Sequence, residues 1–238
     1  MTTASNSAVY FVAGTDTGVG KTRVTAGLLA AARATGLRVA GMKPVASGAE
    51  RRDGRLTSDD AIRIAEASGQ ATPYEELNPY CLVHAISPHI AADMAQMTID
   101  IDTIVEISGR LRAGRELLLI EGAGGWYTPI SEQESMADLA RALGVPVILV
   151  VGLKLGCLNH ARLSFEAIGH AGCRFAGWVG SHIDPDFAAL PENLETLVQL
   201  LGAPPLALLP HAADRADDAY QLRSALPRLL ESQSSRFA

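Results

Sequence analysis

Short apolar runs alternate with longer amphipathic stretches along most of the chain. Runs of small aliphatic residues bounded by glycine or proline predict buried strands, and the amphipathic stretches predict helices. The predicted strands occupy residues 8–14, 37–45, 116–121, 145–152, 174–181 and 204–210. The predicted helices occupy residues 21–36, 58–69, 134–144, 158–172 and 191–202, and the polar C-terminus is also expected to be helical.

This alternation predicts an α/β fold in which a mostly parallel sheet carries helices on both faces. Residues 1–238 are expected to form a single domain, with the ends, about 1–7 and 232–238, frayed. Segments 49–57 and 71–89 are polar or contain proline, so they are expected to be loops that are mobile or face a substrate.

Composition narrows the classes of function. The net charge of −6, without any run of basic residues, argues against a nucleic-acid surface. The longest aliphatic run, Val145 to Leu153, is too short to cross a membrane, and the N-terminus lacks the features of a secretory signal. Three cysteines do not make a disulfide framework in a chain of this length, so a cytoplasmic location is expected.

The first strand runs into "GTDTGVGKT", which has the parts of a phosphate-binding loop (P-loop). Glycines bring backbone N–H groups close to phosphate, Lys21 reaches the β- and γ-phosphates, and the Thr22 hydroxyl ligates Mg²⁺. Five residues, instead of the usual four, separate the first glycine from the Gly-Lys pair. The segment Gly18, Val19, Gly20, Lys21 and Thr22 is therefore predicted to bind nucleotide, and the fold is predicted to be P-loop NTPase-like.

Three further segments place polar residues or glycines after apolar strands: "KPVASG", "EGAGG" and "GLKLGCLNH". Ligands of open α/β sheets bind at the carboxyl ends of the strands, so the four segments predict one shared pocket. Glu121 ends its strand as a candidate Mg²⁺ ligand, and Asp59 or Asp60 could supply another carboxylate. Lys43 at a strand end favours an anionic ligand, as does Lys154 more weakly.

A zinc site is the competing interpretation of the cysteine and histidine positions. Cys81 with His84, and Cys157 with His160, form two short C-x₂-H pairs that together could bind zinc. Such pairs arise easily by chance, so buried cysteines are the favoured interpretation.

The chain resembles the dethiobiotin synthetase family over nearly its whole length. The resemblance rests on "GTDTGVGKT", "KPVASG", "NPY", "SPHIAA", "EGAGGWYTPIS", "VPVILVVGLKLGCLNHA" and "AGWV". It implies an ATP- and Mg²⁺-dependent ligase of biotin biosynthesis. Such an enzyme converts 7,8-diaminononanoate and CO₂, through an N-carbamate and a carbamic-phosphoric anhydride, into dethiobiotin, ADP and phosphate. It also implies a cytoplasmic homodimer with the substrate site at the interface, and no nucleic-acid or membrane partner.

The resemblance further implies roles for individual residues. Lys21 would hold the phosphates, and Lys43 would act at the carbamate and the transferring phosphoryl group. Thr22, Asp59 and Glu121 would ligate Mg²⁺. The substrate would be bound by Thr15, Ser47, Gly156, Cys157 and Asn159, the last three from the partner subunit. Further nucleotide contacts would come from Asp59, Glu121, Gly122, Ala123, Gly124, Ser181, His182, Pro210, His211 and Ala212.

One position departs from the family pattern. Where family members commonly carry Asn-Asp after "GWV-x", with the asparagine reading adenine, this chain has Ser181 and His182. A hydroxyl offers less directional bonding than an amide, so the sequence leaves nucleotide selectivity open. A cobyrinate-type amide ligase and a partitioning-type ATPase switch are the alternative functions. "KPVASG" and "GCLNHA" disfavour the first, and the lack of a second lysine in Gly14 to Thr17 disfavours the second.

Overall fold

The structure is a computed structural model that describes residues 7–69, 72–211 and 217–234. Its strands are β1 (Ala8–Gly14), β2 (Val39–Met42), β3 (Val45–Ser47), β4 (Glu50–Arg52), β5 (Arg55–Thr57), β6 (Tyr80–Leu82), β7 (Leu117–Glu121), β8 (Val147–Leu153), β9 (Phe175–His182) and β10 (Ala207–Leu209). Its helices are α1 (Lys21–Ala34), α2 (Asp59–Ser68), α3 (Tyr74–Leu77), α4 (Pro88–Met94), α5 (Ile101–Arg112), α6 (Met136–Leu143), α7 (Cys157–His170), α8 (Leu190–Leu201), α9 (Asp218–Leu222) and α10 (Leu226–Ser234), with a 3₁₀ turn at Arg223–Ala225.

Six strands form one parallel sheet in the order β10-β9-β8-β1-β7-β2. The order reverses direction beside β1, which is the position where α/β sheets bind ligands at their carboxyl edge. Alternate residues of β1 enter two separate cores, with Phe11 on one face of the sheet and Tyr10 on the other. The predicted α/β class, parallel sheet and two helical layers are confirmed.

Helix boundaries follow the capping residues of the sequence. The Ser58 hydroxyl accepts a hydrogen bond from the Ala61 N–H and starts α2, as its position before two acids predicts. Gly36, at φ 89°, lies just after α1, where the backbone must enter the left-handed region. No helix in the described ranges is both long and apolar enough to cross a membrane.

The two segments expected to be loops contain regular structure. Residues 49–57 form the antiparallel hairpin β4–β5, and residues 71–89 contribute α3, β6 and the start of α4. Strand β6 pairs in parallel with β3 in a second small sheet. The pairing of β3 with β6 joins distant segments, which local sequence patterns do not reveal. The β4–β5 hairpin turns at Asp53-Gly54, a local signal that the sequence analysis missed.

Helix α5 was missed although the sequence carries its signal. Asp100 caps it by accepting from the Asp102 N–H, and Ile101, Ile104 and Leu111 are buried at helical spacing. Of the two ends expected to fray, residues 1–6 and 235–238 lie outside the described residues. Ser7 is buried, and residues 232–234 continue α10.

Candidate active site

A cleft of about 900 Å³ lies at the carboxyl edge of the central sheet. The loops after five of the six strands contribute to it, together with the starts of α1, α2 and α4. Its lining residues are Thr17, Gly18, Gly20, Lys21, Thr22, Arg23, Lys43, Ala46, Ser47, Asp60, Arg63, Ala85, Ile86, Ser87, Pro88, Ala123, Gly124, Thr128, Pro129, Ser181, His182, Ile183 and His211.

The first glycine of the P-loop, Gly14, is closely packed against the loop that follows it. A Cβ atom on Gly14 would lie 2.9 Å from Lys21 Nζ and 2.8 Å from Val19 Cγ2, so glycine is needed where the lysine folds back over the strand end. Gly20 starts α1 at φ 92°, in the left-handed region. The Val19 side chain is buried, so only its backbone is available to a phosphate.

Lys21 is buried and is held by carbonyl oxygens. Its ammonium donates to the Gly124 carbonyl at 2.6 Å and to the Asp16 carbonyl at 3.0 Å. Burial, and secondarily the nearby Lys43 ammonium, lowers the pKa of Lys21 to about 8. An anion bound in the cleft would favour the charged form and raise this pKa again.

This pKa predicts that nucleotide binding takes up a proton. Above about pH 8 free Lys21 is increasingly neutral, and a bound phosphate restores its charge, so nucleotide affinity should fall as pH rises from 8 toward 10.5. The phosphate itself is already ionised there, because its second pKa lies near about 6. Calorimetry with a non-hydrolysable ATP analogue, in two buffers of different ionisation enthalpy at pH 8.5, measures the uptake.

Lys21→Arg is the control for this measurement, because a guanidinium keeps its charge throughout the range. The variant should show no proton uptake above pH 8. An uptake of the same size in Lys21→Arg would assign the proton to a different group.

Thr22, Lys43, Asp60 and Glu121 form one connected cluster beside Lys21. The Thr22 hydroxyl lies 2.7 Å from Asp60 Oδ1 and 2.8 Å from Glu121 Oε1. Lys43 Nζ lies 2.8 Å from Glu121 Oε1, 3.3 Å from Asp60 Oδ2 and 3.0 Å from the Gly122 carbonyl to which it donates. Residues from α1, α2, β7 and the end of β2 therefore meet at one point.

The charges in this cluster stabilise one another. Burial lowers the pKa of Lys43, but the carboxylates of Glu121 and Asp60 outweigh this and hold it above its ordinary value. Burial raises the pKa of Asp60, but the Lys43 ammonium and the Thr22 hydroxyl outweigh it and hold that pKa below its ordinary value. At neutral pH the site therefore presents a charged lysine and a charged carboxylate.

The structure places Asp60, and not Asp59, in the cluster. The Asp59 carboxylate points away, is 65% exposed and pairs with Arg52 at 2.5 Å. Of the two aspartates, Asp60 and not Asp59 is therefore the one placed to act as the predicted Mg²⁺ and nucleotide ligand. Successive helical residues point about 100° apart, so only one of two neighbouring aspartates can face the cleft.

A similar correction applies to the P-loop threonines. The Thr15 N–H donates to the Val150 carbonyl at 3.0 Å, which extends β1 by one residue, and the Thr15 hydroxyl lies 3.5 Å from the Gly152 amide. Thr15 does not line the cleft, whereas Thr17 does. Thr17 replaces Thr15 as the threonine placed to contact a substrate.

The other residues on the β2 and β7 side lie where the sequence predicts a pocket. Ser47 lines the cleft, and its buried hydroxyl has no hydrogen-bond partner among the described residues. Ala123 and Gly124 also line the cleft. The carbonyls of Gly122 and Gly124 accept from Lys43 and Lys21, so this glycine loop positions both lysines.

Asn78 positions Lys43 by binding its backbone, a role that the sequence analysis missed. Its side-chain amide donates to the Lys43 carbonyl at 2.7 Å, and the Lys43 N–H donates to the Leu77 carbonyl at 2.8 Å. Tyr74 links Asn78 to the start of α2, because its hydroxyl lies 3.1 Å from Asn78 Oδ1 and accepts from the Ser58 N–H. The motif "NPY", which begins with Asn78, was the available signal in the sequence.

Gly156, Cys157 and Asn159 lie outside the cleft of this chain. They form the exposed start of α7, next to Leu155, which is 88% exposed, but the Cys157 side chain itself is buried. Within one chain these residues therefore do not meet Ser47 or Lys43.

The β9 and β10 side of the cleft ends in Ser181, His182 and His211. The Ser181 hydroxyl lies beneath Gly20, where a Cβ atom would approach it to 2.6 Å. The Pro210 carbonyl accepts a hydrogen bond from the Arg23 side chain at 2.8 Å, so it faces this side chain and not the nucleotide position. Ala212, also predicted to bind nucleotide, lies outside the described residues.

The cysteine–histidine pairs do not form a metal centre in the part of the chain that the structure describes. No group of three or more His, Cys, Asp and Glu residues there is arranged to hold a metal ion. The Cys81 thiol lies 3.8 Å from the Tyr74 hydroxyl.

The parallel sheet, the P-loop and the cleft define the class of P-loop nucleotide-binding α/β proteins. A family profile described as an AAA domain matches residues 8–218. A ParA family ATPase from Chlorobium tepidum has a TM-score of 0.56 at 12% identity, covering 97% of this chain and 98% of its own. MinD with Mg-ADP from Pyrococcus horikoshii has a TM-score of 0.53 at 17% identity, covering 96% and 95%. At these identities the likeness shows the fold alone.

The sequence relatives identify the family. The ATP-dependent dethiobiotin synthetase BioD of Chromohalobacter salexigens is 49% identical over 88% of this chain and 92% of its own length. The corresponding protein of Nitrosospira multiformis is 46% identical over 91% and 93%. The chain belongs to the ATP-dependent dethiobiotin synthetase family, as its motifs predict.

Proposed function

We propose that this enzyme carries out the synthesis of dethiobiotin, the ATP-dependent activity of its family in biotin biosynthesis, through a carbamate that Lys21 and Lys43 hold against the triphosphate. In this scheme CO₂ adds to one amine of 7,8-diaminononanoate. The carbamate oxygen takes the γ-phosphoryl group of ATP, and ADP leaves. The second amine then attacks the carbamate carbon, phosphate leaves, and the ureido ring closes.

The single observation that carries this mechanism is the placement of two buried lysines on one wall of the cleft. Carbamate and triphosphate are both anions, and their approach is favoured only where positive charge lies between them. Lys21 follows the P-loop glycines and reaches the β- and γ-phosphates. Lys43 lies on the β2 side, between that position and Ser47, and so neutralises the carbamate and the transferring phosphoryl group.

The acidic residues of the cluster fit a magnesium ion. Thr22 Oγ1, Asp60 and Glu121 offer the oxygen donors that Mg²⁺ prefers, and Glu121 Oε2 is buried without a hydrogen-bond partner among the described residues. We propose these three residues as the Mg²⁺ site. When bound there, Mg²⁺ would neutralise charge on the triphosphate.

No residue of the cluster needs to act as a covalent nucleophile. Phosphoryl transfer depends mainly on positioning and charge neutralisation, which the P-loop amides and the two lysines provide. Ser47, with its unpartnered hydroxyl, and Thr17 are placed to orient the carbamate end of the substrate.

We further propose that the enzyme acts as a homodimer in the cytoplasm. The exposed segment of Leu155, Gly156 and Asn159 supports the dimer, because it could reach the substrate only from a second subunit. Free thiols at Cys81, Cys157 and Cys173 agree with a reducing compartment. The molar mass in solution, measured by light scattering, tests the dimer.

Turnover measurements test the proposed function. ADP release in the presence of Mg²⁺ should require both 7,8-diaminononanoate and bicarbonate and should equal the dethiobiotin formed, measured by mass spectrometry. Omitting either substrate should reduce ADP release to background. Turnover that continues unchanged without the diamine would contradict the proposal, and a requirement for glutamine or ammonia would favour an amide ligase.

A further inference from the structure

The β9 and β10 side of the cleft receives the part of the nucleotide that lies beyond the phosphates. The P-loop follows β1 in the middle of the sheet, and Lys43, Asp60 and Glu121 occupy the β7 and β2 side. The γ-phosphate must face those residues to react. The nucleoside therefore extends toward Ser181, His182 and His211, which close the opposite side.

Two polar atoms at this end are buried and have no partner among the described residues. They are the Ser181 hydroxyl, in a residue only 1% exposed, and His182 Nε2. Because an unpaired buried polar group costs free energy, such atoms beside a cleft indicate contact with a ligand. His211 lies against His182, with ring centroids 6.0 Å apart and the rings near perpendicular, and adds a flat surface.

The neighbouring polar groups are already committed to other protein groups. The Arg23 guanidinium binds both carboxylate oxygens of Asp218, at 2.6 to 2.9 Å, and the Pro210 carbonyl at 2.8 Å. Arg23 therefore fixes this wall of the cleft and is not free to pair with a base. Among the described residues, Ser181 Oγ and His182 Nε2 are the buried, unpartnered polar atoms at this end that can pair with the base edge.

Both groups can reverse their hydrogen-bonding role. A hydroxyl donates or accepts as it rotates, and the Nε2 atom of a neutral imidazole donates in one tautomer and accepts in the other. Adenine and cytosine present an amino donor next to a ring-nitrogen acceptor, and guanine and uracil present the reverse. A site whose groups can either donate or accept a hydrogen bond can pair with both of these arrangements on the base.

We propose that Ser181 and His182 make this enzyme broadly tolerant of the nucleobase, so that GTP, CTP and UTP replace ATP as phosphoryl donors. This inference rests on the proposed function, since the same γ-phosphoryl transfer to the carbamate is used with every nucleotide. The phosphates, held by the P-loop, supply the shared part of the binding energy.

The test is dethiobiotin formation with each of the four nucleoside triphosphates at saturating diamine and bicarbonate. We expect kcat/KM for GTP, CTP and UTP to lie within about tenfold of the ATP value, because exchanging one neutral hydrogen bond for another changes binding by about that factor. A preference for ATP larger than this would overturn the proposal. If ATP itself gives no dethiobiotin, the proposed function fails instead.

Two variants assign the tolerance to these residues. Ser181→Asn introduces an amide that pairs bidentately with adenine, so the preference for ATP over GTP should rise by about 5- to 150-fold. His182→Phe removes Nε2 and keeps a flat ring, so KM should rise for all four nucleotides while kcat changes little. His170→Phe, at the exposed end of α7, is the matched control and should change neither. A soluble, folded Ser181→Asn with an unchanged ATP/GTP ratio would also overturn the proposal.

Discussion

Lys43→Ala is expected to lower kcat by about 10²- to 10³-fold, the range seen when one preorganised donor to a developing charge is removed. Lys43 is 3% exposed and lies among Glu121, Asp60 and the Gly122 carbonyl, where a transferring phosphoryl group would meet its charge. Nucleotide affinity should change far less, because Lys21 and the P-loop amides remain. Pre-steady-state phosphoryl transfer and nucleotide titration separate the two effects.

The same substitution should also reduce stability. Removing Lys43 leaves Glu121, which is fully buried, without its cation, and breaking such a pair costs about 3–5 kcal/mol. Thermal unfolding should therefore show a lower Tm, and Mg²⁺ should restore part of it if the ion binds the same carboxylates. Activity is to be compared only under conditions in which the variant is shown to be folded.

Lys154→Ala is the matched comparison. The chain contains only three lysines, Lys21, Lys43 and Lys154, and all three follow strands at the carboxyl edge of the sheet. Lys154 is 36% exposed and lies 3.4 Å from Asp16, outside the cluster. Its loss should have a smaller effect on kcat. An equal loss in both variants, or an intact kcat with a large loss of nucleotide affinity in Lys43→Ala, would contradict the role given to Lys43.

The parts of the fold that depend on local sequence were predictable. All seven residues of β1 are buried, and the apolar run Ala8–Gly14 predicted both of its ends. A strand between two helical layers must be apolar on both faces, so its sequence alone identifies it. The convergence of the strand-end segments followed from the same reasoning, since carboxyl ends of parallel strands share one edge.

The structure was needed to choose between Asp59 and Asp60 and between Thr15 and Thr17. For the aspartates, the sequence of α2 already contained part of the information. Asp60 lies one helical turn before the buried Ile64, whereas Asp59 precedes the exposed Arg63 by the same interval. Reading α2 for its buried face would have selected Asp60. Thr15 and Thr17 could not be separated this way, because the end of β1 depends on its pairing with β8.

The substrate-binding role predicted for the residues at the start of α7 also cannot be derived from a single sequence. Gly156 and Asn159 are exposed in one chain, and no pattern within the chain states which subunit they serve. Their proposed role rests on the family resemblance and on their position outside the cleft of one chain, whose lining does not include them. Reading Ser181 and His182 likewise required their burial and lack of partners, which residue types alone do not give.

Asp60→Asn should strongly impair turnover and raise the Mg²⁺ concentration needed for half-maximal activity by at least about tenfold, as expected for loss of a group that binds or orients a metal. Asp60 accepts from the Thr22 hydroxyl at 2.7 Å and lies 3.3 Å from Lys43 Nζ, so the amide removes a charge at the centre of the cluster. A titration of activity against Mg²⁺ at fixed ATP gives the shift.

Asp59→Asn provides a control that differs by one position in the same helix turn. Its carboxylate faces Arg52 at the surface, so the substitution should leave both the Mg²⁺ requirement and kcat unchanged. The pair therefore separates a site effect from a general effect of removing a negative charge at the start of α2, which both variants share. Equal losses in the two variants would contradict the Mg²⁺ site proposed here, and a loss confined to Asp59→Asn would return the ligand role to Asp59.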